Sequence, residues 1–315
     1  MQPILSVSAM RLCDEKTIHS GTDSKILMYR AGESIFRSRT WNGSISIVTG
    51  SGNNAGDGYV IALLLHEAGI PCRLVRLSEK CSPDGAYYFE KCLAAGIPCT
   101  SEPDFTHTDI IVDCILGTGF HGSVRPDIRD AIEKINASSA RIVSVDINSG
   151  MNGDTGAGGC CVRSHETISI GFVKYGHLIG MARGIIGTLK NYDIGIPCTE
   201  DSTPFFTAGE TPDFSADFSA MQTVFLHAED FSADCGDTLR EQMRSFAEKE
   251  QCLLVLYHTA FIMLCDGVQC CGLAHTLSEE ACRRLTAECG NTLSVYAKAV
   301  LTQSCTEHCP RILFG

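Results

Sequence analysis

The chain reads as a three-layer, Rossmann-like α/β protein with a mostly parallel central sheet, followed by a small C-terminal α+β unit. Three observations predict this: short apolar strands alternate with helix-length segments, four strand ends carry Gly, Asp or Asn turns, and the composition changes near residue 200. Residues 8–20 and 24–38 read as helices, the second with Leu27, Met28, Ala31, Ile35 and Phe36 at helical spacing. Strands are expected at 45–49, 72–77, 109–114, 141–146 and 166–170, with helices at 57–68, 84–95 and 127–137 between them. Helical crossovers between apolar strands make the sheet parallel and cover both its faces. Segment 187–197 reads as the strand that closes a first domain over 1–199. Residues 200–220, rich in Thr, Pro, Asp, Ser and Phe, read as a linker. The unit over 221–315 is expected to hold helices at 236–249, 278–289 and 293–303 and strands at 252–257 and 260–265.

A chain of 315 residues can bury a substantial core. Its net charge of −12 argues against nucleic acid or an anionic membrane as an obligate partner, because both demand clustered Lys and Arg. Eighteen cysteines occur without a C-x-x-C pair, and Cys305-x-x-His308-Cys309 lacks a second half-site for zinc. With no basic-then-apolar leader and no apolar run of membrane length, the expected setting is cytoplasmic and reducing, the thiols mostly free.

Ligands of parallel α/β sheets bind outside the carboxyl ends of the strands, so the four unusual turns should converge. The first, Thr49 to Gly58, runs from a β-branched strand into a helix, whose N-terminus and glycines suit an anionic, nucleotide-like ligand. It satisfies G-x-G-x-x-G/A only nominally. The adjacent amides Asn53 and Asn54 both donate and accept, which suits a carboxamide-bearing ring. The second turn, Asp113 to Gly122, and the third, Asp146 to Gly153, each put an acid at the end of an apolar strand. With the oxygens of Asn54 and Ser149, these acids can bind a hard cation or divide into an ion ligand and an acid–base group. The fourth turn is Gly171 to His177.

Several motifs then match one family in order: Gly52 to Gly58, Val112 to Gly119, Asp146 to Gly150 with Asp154-Thr155-Gly156, Leu27-Met28 with Ala31-Gly32, and Asp193 to Pro197. Over residues 5–198 the chain resembles the NAD(P)HX epimerase family, the YjeF N-terminal domain of hydrated nicotinamide cofactor repair. The resemblance implies that NADHX or NADPHX is held by Asn53, Asn54, Ala55, Gly56 and Asp57, by Gly117, Thr118, Gly119, Phe120, His121, Gly122 and Ser123, and by Asp146. It further implies K+ at Asn54, Asp113 and Ser149, and proton transfer by Asp146 during inversion at the hydrated nicotinamide carbon. Lys174 is then either a neutraliser of substrate phosphate or an ordinary solvated lysine. A homodimer and a separate NAD(P)HX dehydratase are the protein partners such an enzyme would have.

Two positions depart from the family pattern: Ala55 stands where Gly is usual, and Asn148 where Pro is usual. Loss of a fixed φ at Asn148 is expected to loosen the turn that presents Asp146 and Ser149. Residues 237–267 are similar to a middle stretch of the ADP- or ATP-dependent dehydratase domain, but the unit is far too short and lacks its G-T-G-D motif. It is expected to be a degenerate remnant without dehydratase activity. Two other functions compete: a noncatalytic YjeF-type interaction module, which would not need both acids, and a dehydrogenase, which the double-Asn turn disfavours.

Overall fold

The computed structural model describes residues 2–177, 182–199, 203–206, 222–227, 231, 239–258, 261–265, 270–274 and 313–314. The expected helices at 278–289 and 293–303, and the Cys305 to Cys309 cluster, lie outside them. After strand β1 (Gln2–Leu5), helices α1 (Val7–His19) and α2 (Ser24–Arg37) precede strand β2 (Ile45–Thr49). The alternation continues through α3 (Asn53–Glu67), β3 (Cys72–Arg76), α4 (Pro83–Ala94), β4 (Cys99–Thr100), β5 (Ile110–Cys114), α5 (Pro126–Ala137), β6 (Arg141–Val145) and β7 (Glu166–Ile170). Two further strands complete this part, β8 (Val173–Lys174) and β9 (Thr188–Tyr192).

The central sheet runs β9-β7-β6-β5-β2-β3-β4, all parallel, and the short strand at Leu313–Phe314 pairs with the outer side of β9. Chain direction along the sheet reverses between β2 and β5, which makes their carboxyl ends the topological switch point. β2 shows how the sequence fixes the layers. Alternate side chains face opposite ways, so Ile45 and Ile47 join α2, α3 and α4 in one core while Val48 packs with Ile128, Ile132 and Ile135 of α5 in the other.

The C-terminal unit does not stand apart. Strands β10 (Thr203–Phe206), β11 (Gln222–His227), β12 (Cys252–His258), β13 (Phe261–Cys265) and β14 (Cys270–Ala274) form a second sheet with β1 and β8, in the order β11-β12-β13-β14-β10-β1-β8. β10 lies within the stretch expected to be linker. Its antiparallel pairing with β1, which itself pairs with β8, continues the sheet across both units. Helix α6 (Leu239–Glu250) buries Met243 and Ala247 in a core shared with Ile4, Val173 and Ile185. Eleven cysteines, Cys13 to Cys198 in the first part and Cys252 and Cys265 in the second, are free thiols, and among the described residues no helix is long and apolar enough to cross a membrane.

Candidate active site

A cleft of about 660 Å³ opens over the switch point, walled by α1, the start of α3, the turns after β5 and β6, and β8. Gly50 brings two of these walls together: a Cβ there would lie 2.1 Å from the Ile115 carbonyl oxygen, so only glycine lets the turns after β2 and β5 touch. Asn53 and Asn54 are not in a loop but in the first turn of α3, whose N-cap Gly52 supplies no side-chain bond. Asn and Gly are weak helix formers, yet they are well placed at its beginning, where free N–H groups meet the cleft.

Of the sequence-predicted residues, Asn53, Asn54, Asp57, Gly117, Thr118, Gly119, Phe120 and Asp146 line the cleft. Ala55 and Gly56 do not: Ala55 is buried in the apolar core, and Gly56 packs where a Cβ would meet Met28 Sδ at 2.4 Å. His121, Gly122 and Ser123 are exposed and also lie outside the lining. Ala55 takes a negative φ inside α3, so its methyl imposes no strain.

Beneath the cleft, Asn54, Asp113 and Ser149 form one polar cluster. Asn54 Nδ2 donates to the carbonyls of Leu116 and Val145, each at 3.1 Å. Those two acceptors fix the amide's orientation, and Oδ1 is left buried without a partner. Asp113 is fully buried, which pushes its carboxyl above the usual carboxylate range against four hydrogen bonds that hold it down. Its Oδ1 accepts from Ser149 Oγ at 2.5 Å and Ile115 N at 3.3 Å; its Oδ2 accepts from Ser144 Oγ at 2.9 Å and Ser149 N at 3.0 Å. Ser149 Oγ in turn accepts from Leu116 N at 2.8 Å. The side-chain ligand atoms on offer are oxygens, and Asn54 Oδ1 lacks a partner, so this donor set fits a hard cation.

Asp146 carries the strain of the site. Its φ of 62° lies in the left-handed region, a conformation that Asp tolerates better than most residues but that still costs about 1–3 kcal/mol. The surroundings hold it there. Asp146 N donates to Ile168 O at 2.7 Å, and His177 Nε2 donates to Asp146 O at 2.8 Å. The His177 tautomer is fixed because Nδ1 accepts from Lys174 N at 3.1 Å. Burial, with the Lys174 ammonium second, pushes the imidazole down to about 4, so it is neutral at pH 7.

Lys174 is neither solvated nor free for substrate phosphate, which corrects both readings of it. Its side chain is 1% exposed, and Nζ donates to Asp146 Oδ1 at 2.5 Å, Ile170 O at 2.8 Å and Ser169 Oγ at 3.4 Å. Two more carboxyls face the same space. Asp57 lines the cleft, and burial, reinforced by Asp146 and Asp14, raises it well above the carboxylate range. Asp14 of α1 is raised to about 6, by burial first, with Asp146 and Glu15 adding to the rise and Lys174 opposing it. Sequence reasoning missed Asp14 and the role of His177, because a single acid on an amphipathic helix carries no motif. Asp154, part of a quoted motif, works structurally: its Oδ1 accepts from Val7 N at 2.7 Å and tethers α1 to the cleft.

Asn148 also behaves contrary to expectation. The loosened turn is absent, because the buried amide replaces proline's stiffness with bonds: Nδ2 donates to Val162 O, Ser164 Oγ and Ile185 O at 2.9, 2.9 and 3.1 Å, and Oδ1 accepts from Thr167 Oγ1 at 2.6 Å. Asn148→Ala strands these partners and should cost about 3 kcal/mol in urea unfolding. A loss below about 1 kcal/mol would mean that the turn is held by something else.

The model of the YjeF-related protein N-terminus matches residues 24–176. The NAD(P)H-hydrate epimerase of Lentilactobacillus buchneri is 34% identical over 206 residues, 62% of this chain and 96% of that one. The NAD(P)H-hydrate epimerase of Oenococcus oeni is 32% identical over 193 residues, 58% of this chain and 92% of its own. The bifunctional NAD(P)H-hydrate repair enzyme Nnr of Escherichia coli is 37% identical over 183 residues, but these span only 35% of that longer protein. The crystal structure of yeast YNL200c shares the fold, with a TM-score of 0.50 at 21% identity over 55% of this chain and 82% of that one. With nearly the whole length of one such relative covered at this identity, and with a Rossmann-ordered sheet under a carboxylate-lined cleft, the chain belongs to the NAD(P)H-hydrate epimerase family.

Proposed function

We propose that this protein interconverts the R and S forms of hydrated NADH and NADPH, and that Asp146 moves the proton. The observation that carries this reading is the pairing of two carboxyls with opposed environments in one cleft: Asp146 salt-bridged to buried Lys174, and Asp57 held toward its protonated form. A carboxyl group positioned by a buried ammonium beside a second carboxyl held toward its protonated form provides the pair of groups that general acid–base chemistry needs. Inversion at a carbon bearing a hydroxyl and a ring nitrogen needs a proton removed at one step and returned at another, whichever bond opens. Asn53 at the start of α3 suits the carboxamide of the ring, and the Gly117–Phe120 turn suits the remainder of the nucleotide.

K+ would be held by Asn54, Asp113 and Ser149, where it would supply positive charge next to the bound dinucleotide. The buried, unpartnered Asn54 Oδ1 supports this, as does the oxygen chemistry of Asp113 and Ser149. Asp113 already accepts four hydrogen bonds, so its contribution would be mainly charge. The C-terminal unit would support the first domain rather than dehydrate: its strands continue through β10 and β1 to β8, which carries Lys174. The S form would then pass to a separate dehydratase, in the reducing cytoplasmic setting that free thiols suit.

The test supplies mixed NADHX epimers with an S-specific dehydratase and follows consumption of the R form. The protein should consume it faster than spontaneous epimerisation does, and no acceleration with or without potassium would refute the proposal. Independently of activity, Tm should rise with potassium by mass action, and Asn54→Leu should flatten that dependence.

A further inference from the structure

Resting on the epimerase reading, we propose that Arg11 binds a phosphate group of the dinucleotide substrate. Such a substrate brings at least a diphosphate into a cleft lined by the acids Asp14, Glu15, Asp57, Asp84 and Asp146. Against five acids the lining offers two cations, Arg11 and Lys174. Lys174 is buried under the wall and engaged by Asp146, so it cannot reach a phosphate without stranding that carboxylate. Lys25, which pairs with the lining residue Asp84 at 3.4 Å, is itself outside the lining.

Arg11 differs from both. It is exposed on α1, and it has no hydrogen-bond or ion-pair partner among the described residues. Its Nη2 lies 3.8 Å from the point where a Cβ on Gly119 would be, so the guanidinium stands against the bare backbone of the Gly117–Phe120 turn. A planar five-donor fork on the open side of this glycine turn is a suitable receptor for phosphate oxygens. The helix that presents it is fixed at its start: Ser6 Oγ accepts from Ala9 N at 3.1 Å, and Asp154 Oδ1 from Val7 N. The backbone that carries Arg11 is therefore fixed, on a capped helix rather than a loop.

The experiment measures kcat and KM of the full chain for R-NADHX and R-NADPHX with added S-specific dehydratase, in wild type, Arg11→Gln and Arg11→Lys. A charge-assisted bond to phosphate predicts a KM about tenfold higher in Arg11→Gln, kcat within about twofold and Tm unchanged, with partial recovery in Arg11→Lys. Equal rises for both substrates place the guanidinium on the diphosphate. A rise confined to NADPHX places it on the additional phosphate of that substrate. Unchanged KM for both overturns the proposal while leaving the epimerase reading intact. If wild type itself shows no acceleration, binding of NADPH, NADH and reduced nicotinamide riboside decides: about tenfold weaker binding of a phosphorylated ligand to Arg11→Gln, with the riboside unaffected, supports it, and unaltered binding of all three refutes it.

Discussion

Asp146→Asn combined with Lys174→Met should lower the acceleration of epimer exchange by about 10²–10⁴-fold while the protein remains folded, the range expected for loss of a positioned proton-transfer group. The two substitutions belong together. Asn accepts the left-handed φ of 62° about as readily as Asp, so Asp146→Asn alone does not relieve backbone strain. It does leave the Lys174 ammonium, 1% exposed, without its counter-charge. An uncompensated buried charge costs about 3–5 kcal/mol, enough to confuse lost chemistry with lost folding. Lys174→Met refills the stem's volume without the charge, so the double variant should recover most of what the single one loses. Near-wild-type Tm with undiminished acceleration in the double variant would remove Asp146 from the mechanism. A single variant as stable as wild type would show instead that the ion pair contributes little to the fold.

The same pair shows what is and is not legible in the sequence. Asp113, Asp146, Asn54 and Ser149 are visible because acids and amides at the ends of apolar strands have few structural excuses, and the structure gathers them at one switch point. The parallel sheet is equally visible, since Ile45 to Val48 or Ile110 to Val112 is apolar on both faces. Lys174 is not. Its burial depends on a two-residue strand, β8, that exists only because β1 lies alongside it, and no periodicity can be read in two residues. The helical pattern puts the start of α3 four residues late because Asn53 to Gly56 have poor helix propensity, which matters little in a first turn. β10 is hidden in a stretch whose Thr, Pro and Phe composition resembles a linker, and it pairs with a strand some 200 residues earlier. Asp14 and Arg11, on a helix without a motif, become informative only once α1 is seen to wall the cleft.

Asp14→Asn should make the protein more stable at pH 7, by at most about 3 kcal/mol, an advantage that should fade as the pH falls through 6. The carboxyl titrates near 3.8 when unfolded and at about 6 when folded, so the native state binds more protons between those values. Its contribution is fully present below pH 3.8 and is lost as pH rises through 6, an effect of about 3 kcal/mol at about 1.4 kcal/mol for every tenfold change in proton affinity. His177 runs the other way. Its imidazole falls from 6.5 to about 4 on folding, so the unfolded chain binds the extra proton and stability declines as pH drops from 6.5 through 4, again by about 3 kcal/mol. The two slopes oppose each other between about pH 4 and 6, and Asp57 and Asp113, which burial also raises, act on the Asp14 side. Removing Asp14 takes away its share alone, so urea unfolding at steps from pH 4 to 7 should show the advantage of Asp14→Asn over wild type shrinking by about 3 kcal/mol toward acid. Parallel curves for variant and wild type would mean that Asp14 titrates normally. On the expected result, the ionised Asp14 of neutral pH is a liability retained in the cleft wall, as occurs where a site is kept at the expense of stability.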